Sequence, residues 1–518
     1  MRVGFFFGAG AEIGYGLPSG GKFAIDLFRQ DPGAYKTALR EQLRSIDSMS
    51  PYATNWLPQN YADSRIHAFG RNEFTSLIES SIEYKRDEII RRLNSFDEEC
   101  DRAIEQLGID RALVSTKFTE GLHEEFGSRL YTHAIRLNEI LANNVRLFGS
   151  EFYSAMLDAI RMADNSDDLR RYASAFLQLL VGAHGQSLVQ RLNQELFEAA
   201  PDDIPIFDDI SGMFRLEFNK VGTTALELLL EEDRDFPVGE ESTITQVLSA
   251  IAQRVLENLF TTVLDYQSLI DNHFRYLYSP KAEWAKFTRM AIFLRAARDY
   301  IAAQAPQLDQ LPNDGYYHDL SRLNELNLDI STIGTANYNS ILESISDRLE
   351  IQLGDVLHLN GSVSDYYNPY KNSVLRCARP EDCPRDQIYV PFILTQSGLK
   401  PLTSVEMSRR YVELFDSFSG SDAVIVVGFA FNSDDSHING LFRELIEERG
   451  RRLYWVCRAV DGSAQEQHRL LLRRLRIDSQ FRNQVIPIPI DTQNRQIDGR
   501  LWLDYIAESI AAAGNPAR

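Results

Sequence analysis

Two runs of small residues near the start of the chain are the first places where chemistry could be done. Gly8-Ala9-Gly10-Ala11-Glu12-Ile13-Gly14 sets glycines directly behind the apolar run Val3-Gly4-Phe5-Phe6-Phe7. Glycines at a strand end let backbone N–H groups approach a pyrophosphate at a helix N-terminus. Tyr15-Gly16-Leu17-Pro18-Ser19-Gly20-Gly21 follows as a second small-residue loop that could lie over a bound nucleotide. The glycine spacing departs by one residue from the ordinary dinucleotide fingerprint, and no acidic residue for a ribose stands about 20 positions later at the end of a second strand. A generic tight turn accounts for the same glycines. Far downstream, His358 and Asn360 stand two apart in Leu357-His358-Leu359-Asn360-Gly361-Ser362, so on a strand they share a face. An imidazole there can take a proton, although a histidine on a buried strand is also commonly a core residue with both ring nitrogens satisfied. Asp434-Asp435-Ser436 precedes His437-Ile438-Asn439-Gly440-Leu441-Phe442 as a helix N-cap signal.

The elements that must position these residues alternate in type. Val3–Phe7 reads as a strand buried on both faces. Similar short apolar runs return at Leu328–Ile333, Asp355–Leu359, Ala423–Val427, Leu453–Val456 and Val485–Ile488, separated by helical or loop text. Strands alternating with helices predict a parallel sheet. Between them, from about Gln30 to Glu325, apolar residues fall at helical spacing, as in Tyr172 to Ala199. A connection of that length is far beyond ordinary loops and reads as a domain of its own. The expected architecture is therefore α/β: a doubly wound, mostly parallel Rossmann-like sheet from residues 1–29 and 326–518, discontinuous in sequence, with a large all-helical insertion domain over 30–325.

Composition narrows the function classes. Of 518 residues, 44% are hydrophobic and 25% charged, with 30 Gly and 18 Pro, which excludes collagen-like and low-complexity readings. A formal charge of −20 opposes direct nucleic-acid binding. Four scattered cysteines, Cys100, Cys377, Cys383 and Cys457, fit a reducing cytoplasm. No basic leader with a cleavage site and no apolar run of about 20 residues is present, so neither a signal peptide nor a membrane span is expected.

Several of these motifs together resemble the sirtuin nucleotide-binding domain, over about residues 1–25 and 326–495. Gly8-Ala9-Gly10-Ala11 followed by Gly16-Leu17-Pro18-Ser19 resembles its opening. Gly334-Thr335-Ala336-Asn337-Tyr338-Asn339 is similar to its Thr-X-Asn-X-Asp loop, with Asn339 where the family has aspartate. Asp422 through Asp434, containing Gly428-Phe429-Ala430-Phe431-Asn432, resembles the late strand and glycine turn of bacterial sirtuin-like proteins. Leu357 to Ser362 aligns by its Gly-Ser with the family's Leu-His-Gly-Ser loop, which sets Asn360 at the catalytic histidine's position and His358 two residues earlier.

The resemblance implies binding of NAD as a substrate. Gly8, Ala9, Gly10, Ala11, Ser19, Asn339, Gly428, Phe429, Asn432 and Asp434 would contact the dinucleotide, and Asn337, His358 and Asn360 would serve catalysis. The paired Cys-X-X-Cys zinc module of the family's deacetylases is absent, since Cys377 and Cys383 are too widely spaced and a closed zinc site needs four ligands; no metal is expected. Bacterial sirtuin-like proteins without that module hydrolyse NAD in antiphage defence, often beside a partner such as an ATPase. Cleavage of the nicotinamide–ribose bond passes through an oxocarbenium-like state. An amide such as Asn337 could orient ribose hydroxyls or the attacking water. The resemblance thus implies an NAD glycohydrolase, and the apolar helical faces suggest a homo-oligomer or a defence-partner complex. Asn339 and Asn360 leave open a second reading, a catalytically weak NAD or ADP-ribose sensor or scaffold.

Overall fold

The structure, a computed structural model, describes residues 1–17, 20–70, 73, 76, 80, 83–131, 145–184, 222–231, 234–264, 270, 273, 275–306, 309–394, 404–459, 463–491 and 493–514. By internal contacts the chain divides into two compact units. Met1–Ser19, Asp31–Ala68 and Gln267–Arg518 form the first; Gly20–Gln30 and Phe69–Tyr266 form the second.

The first unit is built on six parallel strands: β1 (Arg2–Phe7), β2 (Asp329–Thr335), β3 (Val356–His358), and then β7 (Ala423–Val427), β8 (Arg452–Arg458) and β9 (Val485–Ile490). Their order across the sheet is β3-β2-β1-β7-β8-β9. That is the order expected of a Rossmann-like doubly wound sheet, and it reverses direction between β1 and β7. Residues Val3–Phe7 become the centre of the sheet because they are apolar on both faces. Phe5 and Phe7 pack with Ile425, Tyr317, Ile345 and Trp502 on one side. Phe6 packs with Val424, Leu414, Phe418 and Phe442 on the other. At the far edge, Pro487 and Pro489 lie in β9, which among the described residues pairs with β8 alone; proline is tolerated on an edge strand, where no further neighbour needs its missing N–H.

The sequence did not announce a second, antiparallel sheet, β5-β4-β6, made of β4 (Gly361–Asn368), β5 (Ser373–Arg376) and β6 (Val390–Ile393). It also corrects the expected division of the chain. Residues 31–68 and 267–325 were expected in the insertion but belong with the sheets, because the helix Trp284–Gln304 packs on β6 and β4. Gln42 Nε2 also donates to the Gln387 carbonyl at 3.0 Å, and Tyr52 Oη accepts from the Ile388 N–H at 3.0 Å.

The helix Gly20–Arg29 falls in the second unit. There Arg29 pairs with Glu257 at 2.8 Å and donates to the Leu229 carbonyl. Among the described residues, the regular elements of the second unit are helices. Ile244–Val263 is the longest of these and starts from a capping box between Thr243 and Gln246. Asp167–His184 covers the first part of the expected Tyr172–Ala199 helix; residues 185–199 lie outside the described residues. No described helix is long and apolar enough to cross a membrane.

Candidate functional site

The loops that follow β1 and β7 interlock at the reversal of strand order, and glycine makes this possible. Gly8 N–H donates to the Val427 carbonyl at 2.9 Å and Gly10 N–H to the Gly428 carbonyl at 2.8 Å. A Cβ on Gly428, whose φ is +68°, would stand 2.0 Å from Ala11 N, and one on Gly8 would stand 2.7 Å from the Gly428 oxygen. No larger residue fits either place. This contact corrects the expected phosphate cradle. The N–H groups of Gly8 and Gly10 are consumed by the end of β7 and the turn after it, and that of Ala11 by the Gly8 carbonyl at 3.0 Å. Of the four, Ala9 alone is exposed with its N–H free among the described residues.

Behind this turn lies a buried polar cluster that includes Glu12, Tyr317, Asn337 and Asn339. Tyr317 Oη donates to Glu12 Oε1 at 2.8 Å and Asn339 Nδ2 to Glu12 Oε2 at 2.6 Å. Asn337 Nδ2 lies 3.2 Å from the Gly8 carbonyl and 3.3 Å from Tyr317 Oη, so the opening glycines and Asn337 meet at one sheet edge. The turn holding Asn337 is fixed by Thr335, whose Oγ1 accepts from Asn337 N–H and donates to the Phe7 carbonyl, both at 3.0 Å. Asn339 Oδ1 accepts from the Ile341 N–H at 3.0 Å and so anchors the helix Ile341–Arg348.

Burial pushes the Glu12 carboxyl up to about 7, against the hydrogen bonds from Asn339, Tyr317 and Asn337 and the charge of His358. A carboxyl in that range exchanges a proton near neutrality, as a general acid or base must. A cavity of about 230 Å³ adjoins the cluster, lined by Asn339, Ser340, Ile341 and Ser344 together with Ala305 and Val363. That is smaller than the ~300 Å³ lower end of ordinary ligand clefts, so it suits a ring rather than a whole dinucleotide.

His358 stands at the end of β3, opposite Thr335 of β2, but its geometry corrects the expectation of a free base. Nδ1 lies 2.8 Å from the Asn337 carbonyl and Nε2 lies 2.8 Å from Glu343 Oε1. Both ring nitrogens are engaged by oxygen partners within the fold, so neither is free to act on a ligand. The imidazole positions the Asn337 backbone instead. Asn360 is buried, and its Oδ1 has no partner among the described residues. Its main-chain carbonyl accepts from Leu394 N–H at 2.9 Å.

On the β7 side, Phe429 is a core residue. It packs edge-on against Phe6 at 5.1 Å, and its carbonyl accepts from Trp455 Nε1 at 2.8 Å. Asn432 is exposed. The helix Ser436–Glu447 begins where expected, but Asp435, at its N-cap, makes no side-chain cap bond. Asn439 Nδ2 instead ties the helix to the Phe431 and Asn432 carbonyls at 3.3 and 2.8 Å. Ser19 and the Asp434 side chain lie outside the described residues.

Sequence reasoning missed Glu12, Tyr317 and Glu343. Glu12 carried a signal, as a carboxylate inside a glycine turn at a strand end; Tyr317 carried none, standing in text read as helical insertion. No protein-family model and no curated protein matches the chain.

Proposed function

We propose that the first unit binds NAD at this sheet edge and hydrolyses its nicotinamide–ribose bond, with Glu12 as the proton-transfer group. The observation that supports this reading best is Glu12 itself: a carboxyl raised to about 7, beside the point where strand order reverses, which is where doubly wound sheets bind ligands. Nicotinamide is a good leaving group, so orientation and charge stabilisation can supply much of the rate. In its ionised form Glu12 takes the proton of a water attacking the anomeric carbon and stabilises the positive sugar. Asn337 orients the ribose hydroxyls or that water, and the free Ala9 N–H donates to the pyrophosphate. His358 acts through Asn337 as a positioning residue. The role of NAD loss in antiphage defence, and assembly with further copies or an ATPase partner, extend the same proposal and rest on the sirtuin resemblance.

A second reading, a sensor that holds NAD or ADP-ribose without turnover, draws on the engaged ring of His358 and on Asn360 in the histidine's place. Incubating the purified protein with NAD and measuring free nicotinamide separates the two. Hydrolysis predicts release that falls at least about 100-fold in Glu12→Gln and in Asn337→Ala. Binding without release selects the sensor, and neither binding nor release removes both.

A further inference from the structure

The helix Gly33–Ser45, the helix Trp284–Gln304 and the antiparallel sheet enclose a cavity of about 340 Å³ elsewhere in the first unit. The volume lies within the ~300–1,000 Å³ range of small-molecule sites. Its most telling wall residue is Arg295. This guanidinium donates to Gln42 Oε1, an amide held in place by its own bond to the Gln387 carbonyl. No carboxylate lies within ion-pair distance of Arg295 among the described residues. Burial pushes the group down to about 10 even though Asp299 opposes the shift. A crowded cation without a counter-ion is costly, and a bound anion would relieve that cost.

A second wall group points to the same chemistry. Tyr366 is buried and its hydroxyl has no hydrogen-bond partner among the described residues. The acidic residues around the cavity do not answer either donor. Asp299 is committed to Arg298 at 2.9 Å, while Glu41 and Glu381 are exposed. Tyr35 and Tyr389 add aromatic surface. The interior therefore offers a guanidinium and a phenol as donors, with ring surface beside them.

We propose that this cavity is a binding site for a small molecule bearing an oxyanion, a phosphate monoester or a carboxylate, with Arg295 as its counter-ion and the Tyr366 hydroxyl as a further donor. The proposal stands independently of the reaction at the sheet edge. Isothermal titration of the full chain with inorganic phosphate, phenyl phosphate and benzoate tests it. Phenyl phosphate or benzoate is expected to bind, the stronger of the two identifying the oxyanion, and Arg295→Gln is expected to weaken that binding at least about tenfold. Tyr366→Phe, which removes only the hydroxyl, is expected to weaken it severalfold and keeps the test valid should Arg295→Gln fold poorly. No binding of any of the three at about 10 mM, or equal binding by the wild type and both variants, overturns the site.

Discussion

Glu12 is a buried charged-type group and Arg295 a half-buried one in the same unit, and the protein treats them in opposite ways. Both Glu12 oxygens accept bonds, from Tyr317 and Asn339, and the carboxyl shifts toward its neutral form. Among the described residues Arg295 has Gln42 as its hydrogen-bond partner and faces an open cavity. A closed network fixes one geometry, because each member leaves another unpaired when it is removed. An incomplete one leaves the remaining partner to come from outside. The difference separates a group placed to exchange a proton from one placed to hold a guest.

Substitutions that remove one partner should expose this contrast most strongly. Asn339→Leu strips Glu12 Oε2 of its donor and the Ile341 N–H of its acceptor, and is expected to destabilise the first unit by roughly 2–4 kcal/mol in urea unfolding. A loss below about 1 kcal/mol would show that the network is not closed. The pH dependence comes next in size. The Glu12 carboxyl is raised from 4.5 to about 7 in the fold. Its contribution is therefore fully present below pH 4.5 and is lost as pH rises through about 7, because the unfolded chain releases the proton first. The stability difference between wild type and Glu12→Gln should shift by about 3 kcal/mol in favour of the variant over that window, read from urea midpoints at successive pH values. A flat difference would mean that Glu12 is ionised throughout. The smallest effect is expected at the open site, where Arg295→Met should change stability by less than about 1 kcal/mol or raise it. A loss of several kcal/mol there would make Arg295 a structural member of the wall.

What could be read in advance follows from where periodicity speaks. Val3–Phe7 and Ala423–Val427 announced themselves because a strand buried on both faces must be apolar throughout. The glycines at 8, 10 and 428 marked backbone conformations and approaches that larger residues cannot make, although their N–H groups serve the fold more than a phosphate. β4 was silent for the opposite reason. Gly361-Ser362-Val363-Ser364-Asp365-Tyr366-Tyr367-Asn368 is largely polar yet largely buried. It is held by distant partners such as Arg410, which pairs with Asp365 at 2.7 Å, and Gln387, which accepts from Asn368. Hydrophobic pattern cannot reveal a strand whose burial is made tolerable by side chains tens of residues away. Tyr317 escaped likewise, since its role exists only through Glu12 and Asn337.

The place of β1 between strands contributed by residues 329–335 and 423–427 also dictates the order of events during synthesis. The aromatic trio Phe5-Phe6-Phe7 is made before both of its neighbours, and the second exists only after residue 427 has been added, about 20–80 s later at ordinary translation rates. Until residues 329–335 and then 423–427 have been made, the two edges of this strand lack their native partners, which leaves an apolar run open to mispairing while the chain grows.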